Sequence, residues 1–215
     1  MPTLPYNYLN WDESAVSLAI FLRYHVYRRL TGDTVWTQIA RVPDRAITYY
    51  QDYLVGGANS YDYSVTQVVD VSGEDVESAH NVVAATNDFS DSWLHDIANP
   101  GYFAQAILLQ AQYTPEQDIA FVQPWGRQTP TMHIGNKDSQ RAGLSVIGSW
   151  SAGAWDDLKA MQARQRTVGA MLCYRGYRGD RLFCQIAGLS RQDALGDVVD
   201  AQVELVEVYY DEEVS

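Results

Sequence analysis

Between Leu9 and about Val83 the chain runs as short stretches rich in Val, Ile, Tyr, Thr and Trp, cut at regular intervals by turn residues. In order they read "FLRYHVYRRL", "TGD", "TVWTQIARV", "PDRA", "ITYYQDYLV", "GGANS" and "YDYSVTQVV". Runs of this length and composition, spaced in this way, predict an all-β sandwich. Within "RYHVYRR", side chains alternate across the strand, so Tyr24, Val26 and Arg28 share one face while His25 and Tyr27 share the other. The Tyr24 and Val26 face is apolar enough to pack. The adjacent Arg28 and Arg29 are expected at the solvated surface, where arginines are usually found.

After residue 87 the pattern changes. "YFAQAILLQAQ", "DIAFVQ", "PTMHIGN" and "AGLSVIGSW" predict strands, and "SAGAWDDLKAMQARQR" predicts a helix over about 151–166. Ser151 suits an N-cap, Asp156 and Asp157 fall in the early turns, and Arg164 and Arg166 lie near the end, as the helix dipole favours. Trp155, Leu158, Met161 and Gln162, with Gln165, recur at helical spacing and mark the face that packs on a sheet. Three further β segments follow: "TVGAMLCYR", "RLFCQIAGLS" and "DVVDAQVELVEVYY". Gly176 and Gly179 mark a hairpin between the first two, and a loop at Arg178-Gly179 sets Cys173 opposite Cys184. The last segment alternates Val203, Leu205 and Val208 or Tyr209 with Glu204, Glu207 and Asp211, with a change of phase near Val206 that suggests a bulge.

The chain has 215 residues and a net charge of -12, spread over both halves, which argues against a general nucleic-acid binder. From Gly196 onward there are acidic residues and no basic one, so this end is either a solvated face or a negative lining. "MPTLPYNYLNWDES" has no basic segment followed by an apolar run, and "SAVSLAIFL" is too short to span a bilayer. Neither a secretory signal nor an anchor is expected. The two cysteines give no disulfide framework and no CxxC metal spacing, and paired buried thiols are the default expectation.

Residues 89–100, "FSDSWLHDIANP", gather Ser90, Ser92, His95 and Asp96, the residue types of a hydrolase triad. They are too close in sequence to approach a substrate from the separate directions that nucleophile, base and orienter require. The stretch ends in the turn signal "NPG" where one β pattern gives way to the next, so Trp93, Leu94, His95 and Asp96 are expected to form a junction. In that role Trp93 and Leu94 anchor the second core, and His95 and Asp96 cap the turn. His25, His80, His95 and His133 are scattered without a second ligand at metal spacing, and "GYRGD" lacks the Lys-Ser/Thr of a phosphate loop. Asp156 and Asp157 diverge by about 100° on a helix and cannot act as a glycosidase pair. No catalytic, cofactor or metal site is expected, and the chain is read as a non-enzyme.

In the first half, "LNWDES", "YHVYRR", "WTQIARV", "TYYQDYLV" and "YDYSVTQVV" resemble consecutive strands of a fibronectin type III domain. The resemblance implies that Trp11 packs the core, that Tyr24 to Arg28 form the "Y-x-V-Y-R" strand, and that Tyr61 and Val65 belong to the tyrosine-corner strand. Only ten residues precede Trp11, so the family's first strand is very short or missing. Either an edge at Tyr6 to Asn10 is open to a neighbouring chain, or the prolines of "MPTLPY" cap it.

In the second half, several motifs in order are similar to minor tail and distal-tail proteins of long-tailed bacteriophages, especially those of actinobacteria. They are "DSWLHDIANP", the element Gly126, Arg127, Pro130, the helix "WSAGAWDDL", the hairpin "MLCYRGYRGDRLFCQIAGL" and the closing "VELVEV". The resemblance implies a mainly β chain of two domains. Residues 1–86 would form a fibronectin III-like sandwich, 87–100 a junction, and 101–215 a tail-tube-like β-sandwich or split barrel with one helix. It further implies a structural, virion-borne protein at the tail tip. Such a protein closes with its own copies into a ring, a hexamer or alternatively a trimer, and contacts the tail tube protein and the hub or tape-measure proteins. DNA would only pass through the channel, and Glu204, Glu207 and Asp211 are expected to face it, since negative walls repel phosphate. The alternative reading is a module that binds host-surface glycan, with Trp36, Tyr49, Tyr50 and Tyr53 as the stacking aromatics.

Overall fold

The computed structural model describes residues 4–116, 119–122, 131–134, 141–150, 153–191 and 199–214, and from 107 to 149 the description is of the backbone alone. The protein is mainly β, with a single α-helix among the described residues. It divides into two compact units. One comprises Met1–Ser90 together with Arg175–Arg181 and Tyr210–Ser215; the other comprises Asp91–Tyr174 and Leu182–Tyr209. The boundaries expected from sequence are consecutive stretches, whereas the first unit also draws on two later segments.

In the first unit the strands are β1 (Asn7–Asn10), β2 (Phe21–Leu30), β3 (Thr37–Val42), β4 (Tyr49–Asp52), β5 (Ser60–Val71), β6 (Glu74–Glu77) and β7 (Val82–Thr86). β1 and β4 pair as a two-stranded antiparallel sheet, with Asn7 opposite Asp52 and Asn10 opposite Tyr49. The second sheet runs β3-β2-β5-β6, with β7 also paired to β5. Between the two sheets lies a core of Tyr24, Val26, Ile39, Val42, Val55, Tyr61 and Tyr63, closed by Leu9, Trp11 and Tyr50 from the two-stranded side. Trp11 meets the Tyr24 ring edge-on at 5.4 Å, the arrangement that aromatic quadrupoles favour. No separate strand precedes β1 among the described residues, and the Trp11 amide extends the β1 ladder by donating to the Thr48 carbonyl. The turn from β5 to β6 has Ser72 at φ 60° and Gly73 at φ 88°, the left-handed pair that a tight hairpin demands.

In the second unit the strands are β8 (Ser92–Asp96), β9 (Phe103–Glu116), β10 (Ile119–Val122), β11 (Thr131–Ile134), β12 (Arg141–Trp150), β13 (Leu172–Arg175), β14 (Arg181–Arg191) and β15 (Val199–Glu207). Where sequence left a sandwich or a split barrel, six of these strands close into a barrel in the order β12-β15-β14-β13-β8-β9. β10 and β11 form a separate hairpin. Helix α1 (Ala154–Val168) starts later than expected: Gly153, left-handed at φ 86°, occupies the cap position, and Ser151 lies outside the described residues. It ends at Gly169, left-handed at φ 67°, where the Gly169 amide donates to the Gln165 carbonyl and the Ala170 amide to that of Arg164. Ala154, Leu158 and Met161 are its buried positions, one helical face. They join Leu94, Trp150, Leu172, Val203 and Leu205 in one core. Complete burial of Leu158 alone is worth about 1.5–3 kcal/mol.

The bulge expected in the last strand is on its partner. The register between β14 and β15 shifts between Ile186 and Gly188, while Ala201, Val203 and Leu205 keep a regular inward alternation.

Candidate functional site

The stretch expected to be a junction is a strand. Ser92, Trp93, Leu94, His95 and Asp96 are all buried in β8, between β9 and β13, and the division between the compact units falls before them, at Ser90 and Asp91. Leu94 packs in the barrel core, and the Trp93 ring lies 5.8 Å from that of Phe103. Asp96 caps the following turn, accepting from the amides of Ala98 at 2.9 Å and Asn99 at 3.2 Å. Its other oxygen takes a bond from Arg164 Nε at 2.7 Å, so the carboxylate ties the strand end to the last turn of α1. Arg164 also lies over the Tyr102 ring at 4.7 Å. Along this extended strand Ser92 and Asp96 lie on one face and His95 on the other, which is not the arrangement of a triad, and Ser92 Oγ accepts from the Tyr174 hydroxyl at 3.4 Å.

Of the three acidic residues expected to face a channel, Glu204 and Glu207 do not share a face of β15. Glu204 is exposed on the outer side of β15, alternating with buried Val203 and Leu205. Glu207 has the inward phase of Leu205 and is half-buried opposite Cys184. Asp211 lies beyond the strand and belongs to the first unit. The outward acidic positions on β15 are Asp200 and Glu204.

The aromatic set splits as well. Trp36 belongs to the five-stranded side, just before β3, where Arg29 lies over its ring at 4.2 Å and His80 stacks on it at 5.1 Å. Tyr50 points inward to the core, and its burial pushes its hydroxyl pKa up to about 12. Tyr49 and Tyr53 alternate with it on the outer face of β4, where Tyr6 and Tyr8 join them.

Arg28, expected at the surface, is buried with only 4% of its side chain exposed. Its Nη1 donates to both oxygens of Asp52, at 3.0 and 2.8 Å, and to the Leu54 carbonyl, and Nη2 donates to Glu212 at 2.7 Å. Arg181 closes the group with two bonds to Glu212, at 2.8 and 2.9 Å. On the far side, Tyr63 donates to Asp52 and accepts from Asn7 Nδ2, each at 2.8 Å. Burial disfavours the charged guanidinium, but Asp52 and Glu212 outweigh it and hold Arg28 protonated more firmly than usual. A cleft of about 350 Å³ opens beside Arg28, Arg29, Asp33, Asn59, Arg181 and Glu212. Because these arginines are already engaged by Asp52, Asp62 and Glu212, the cleft offers an anion little unsatisfied positive charge.

A second polar group lies on the outer face of the larger sheet. Glu77 accepts from the Tyr27 hydroxyl at 2.8 Å and from Thr66, and meets His25 Nδ1 at 3.2 Å. Burial pushes the Glu77 carboxyl up, but Thr66, Tyr27 and His25 together hold it below the usual range. Among the described residues no three His, Cys, Asp or Glu side chains converge as a metal site. Gly126, Arg127 and Pro130 lie outside the described residues, and His133 lies where only the backbone is described. A groove of about 440 Å³ runs beside β1, lined by Asn7, Leu9, Trp11, Tyr63, Val65 and Val83.

No family model, curated protein or solved structure matches this chain.

Proposed function

We propose that this chain is a structural subunit of a bacteriophage tail tip, a distal-tail or minor tail protein. In this reading it closes with its own copies into a ring around the tail channel and links the tail tube to the hub or baseplate. The six-stranded barrel with helix α1 supports the reading, because a β-barrel carrying a helix is close to the sandwich or split barrel that the resemblance over residues 88–213 implies. Among the described residues its interior is filled by side chains such as Leu94, Trp150, Leu172 and Val203, which suits a scaffold whose working parts are its outer strands. β9 and β12 pair from Arg141–Glu116 to Trp150–Ala106, a long ladder of the kind that can shape a wall. Outward Asp200 and Glu204 give the exterior of β15 a negative character, which lets a phosphate backbone slide past rather than adhere. The mechanism is assembly through surface buried between identical, head-to-tail subunits, with closure of the ring set by the rotation between them. Negative-stain imaging of the purified chain tests this, with ring-shaped particles as the expected result.

A further inference from the structure

The outer face of the two-stranded sheet carries a cluster of exposed tyrosines. On β1 and the residues flanking it, Tyr6, Tyr8 and Asn10 point outward. On β4 and just beyond it, Tyr49, Gln51 and Tyr53 do the same, because Asn7, Leu9, Tyr50 and Asp52 take the inward phase. Tyr6, Tyr8 and Tyr49 are 40%, 57% and 52% exposed, far above what tyrosines committed to a core show. They form two ring pairs: Tyr6 with Tyr53 at 5.0 Å, and Tyr8 with Tyr49 at 6.2 Å and nearly parallel at 20°. Between the pairs the Gln51 amide is fixed, its oxygen accepting from the Tyr53 hydroxyl at 2.9 Å, which leaves its amide nitrogen to donate outward. None of the six positions is charged, in a protein that carries a net charge of -12.

We infer that this face binds a neutral polysaccharide. A sugar ring presents C–H groups on its faces, which the electron-rich face of a phenol attracts, and hydroxyls around its rim, which amides and phenol hydroxyls satisfy. Tyr6, Tyr8, Tyr49 and Tyr53 supply the first, and Asn10 and Gln51 supply the second. Two-residue pockets of this kind are rigid, since a tyrosine freezes only two torsions on binding. The ring pairs are separated by about three residues along the strands, roughly 10 Å, so the site spans an oligosaccharide rather than a single sugar. The lack of charge selects against acidic polymers, which the overall negative field also repels. This inference does not depend on ring assembly, and its test reads a different quantity.

The test is affinity electrophoresis of the whole chain in native gels containing soluble starch, galactomannan or arabinogalactan, with polygalacturonate as the acidic control. At least one neutral polymer should retard the protein and polygalacturonate should not. The paired variant Tyr8→Ala/Tyr49→Ala should lose retardation at least tenfold, while Tyr8→Phe/Tyr49→Phe, which keeps the rings, should retain most of it. Unchanged thermal unfolding of both variants shows that the fold is intact. Retardation by none of the neutral polymers, or retardation that survives the alanine pair, would overturn the inference. So would an alanine pair that alters only the oligomeric state, which would mark the face as a protein interface.

Discussion

Arg28 and Glu212, 184 residues apart in the chain, form an ion pair of 2.7 Å in the interior of the first unit. The C-terminal segment is thereby part of that unit, and Val214 adds to it by exchanging bonds with Gln38: the Val214 amide donates to the Gln38 carbonyl, and Gln38 Nε2 donates to the Val214 carbonyl, each at 3.0 Å. Arg28→Ala leaves Asp52 buried without its cation, which costs about 3–5 kcal/mol. Glu212→Gln removes one charged acceptor while Asp52 remains, and costs about 1–3 kcal/mol. Urea unfolding of both variants checks the order, and an Arg28→Ala loss below that of Glu212→Gln would contradict it.

Asp96 does for the second unit what Asp52 does for the first. It is fully buried, accepts two turn amides and is neutralised by Arg164. Arg164→Met leaves the fully buried Asp96 carboxylate without its cation, with an expected loss of about 3–5 kcal/mol. Asp96→Ala removes the two turn bonds but leaves only the part-exposed Arg164, which water can reach, so the expected loss is smaller, about 1–3 kcal/mol. Circular dichroism through a urea titration distinguishes the two, and an Asp96→Ala loss above that of Arg164→Met would contradict this order.

How far these features were legible from sequence differs by element. β2 was read to the residue because "FLRYHVYRRL" is a run of β-forming residues closed by the turn signal "TGD", although Tyr24, His25 and Val26 are buried in succession rather than alternately. β8 was read as a junction because it is buried on both faces, so "SWLHD" shows no alternation, and its polar side chains are satisfied by partners such as Arg164 and Tyr174, far along the chain. Arg28 defeated an exposure rule for the same reason: its alternation with Tyr24 and Val26 placed it inward, but its partners Asp52 and Glu212 are visible only once the chain has folded. The aromatic set was half legible. Period two links Tyr49 to Tyr53 and excludes Tyr50, yet only the pairing of β1 with β4 brings Tyr6 and Tyr8 beside them.

Alkaline pH should loosen the first unit. Burial pushes Tyr27 and Tyr50 up to about 12 from 10.0 and raises Tyr63 further, with neighbouring carboxylates adding to the effect. A folded state that holds its phenol protons more tightly than the unfolded chain keeps its full stability below the unfolded value. It loses that stability as pH rises through the folded one, here from about pH 10 to 12. Urea midpoints should therefore be level up to about pH 9.5 and fall steeply beyond it. A midpoint that does not change through about pH 11 would contradict these raised values.

Cys173 and Cys184 are fully buried thiols not joined by a disulfide, and burial raises the Cys184 thiol well above its usual value. A thiol reagent should find neither in the native protein and both after denaturation, since the thiolate is the reacting form. The intact mass should be the same with and without reductant; a two-hydrogen difference would reveal a bond between them.

Imaging of the purified protein in negative stain, across a range of concentrations, addresses the central claim most directly. Assembly into a tail-tip ring calls for annular particles of several copies around a central opening. A protein that stays monomeric at every concentration, and also when mixed with tail-tube and hub proteins, would contradict it.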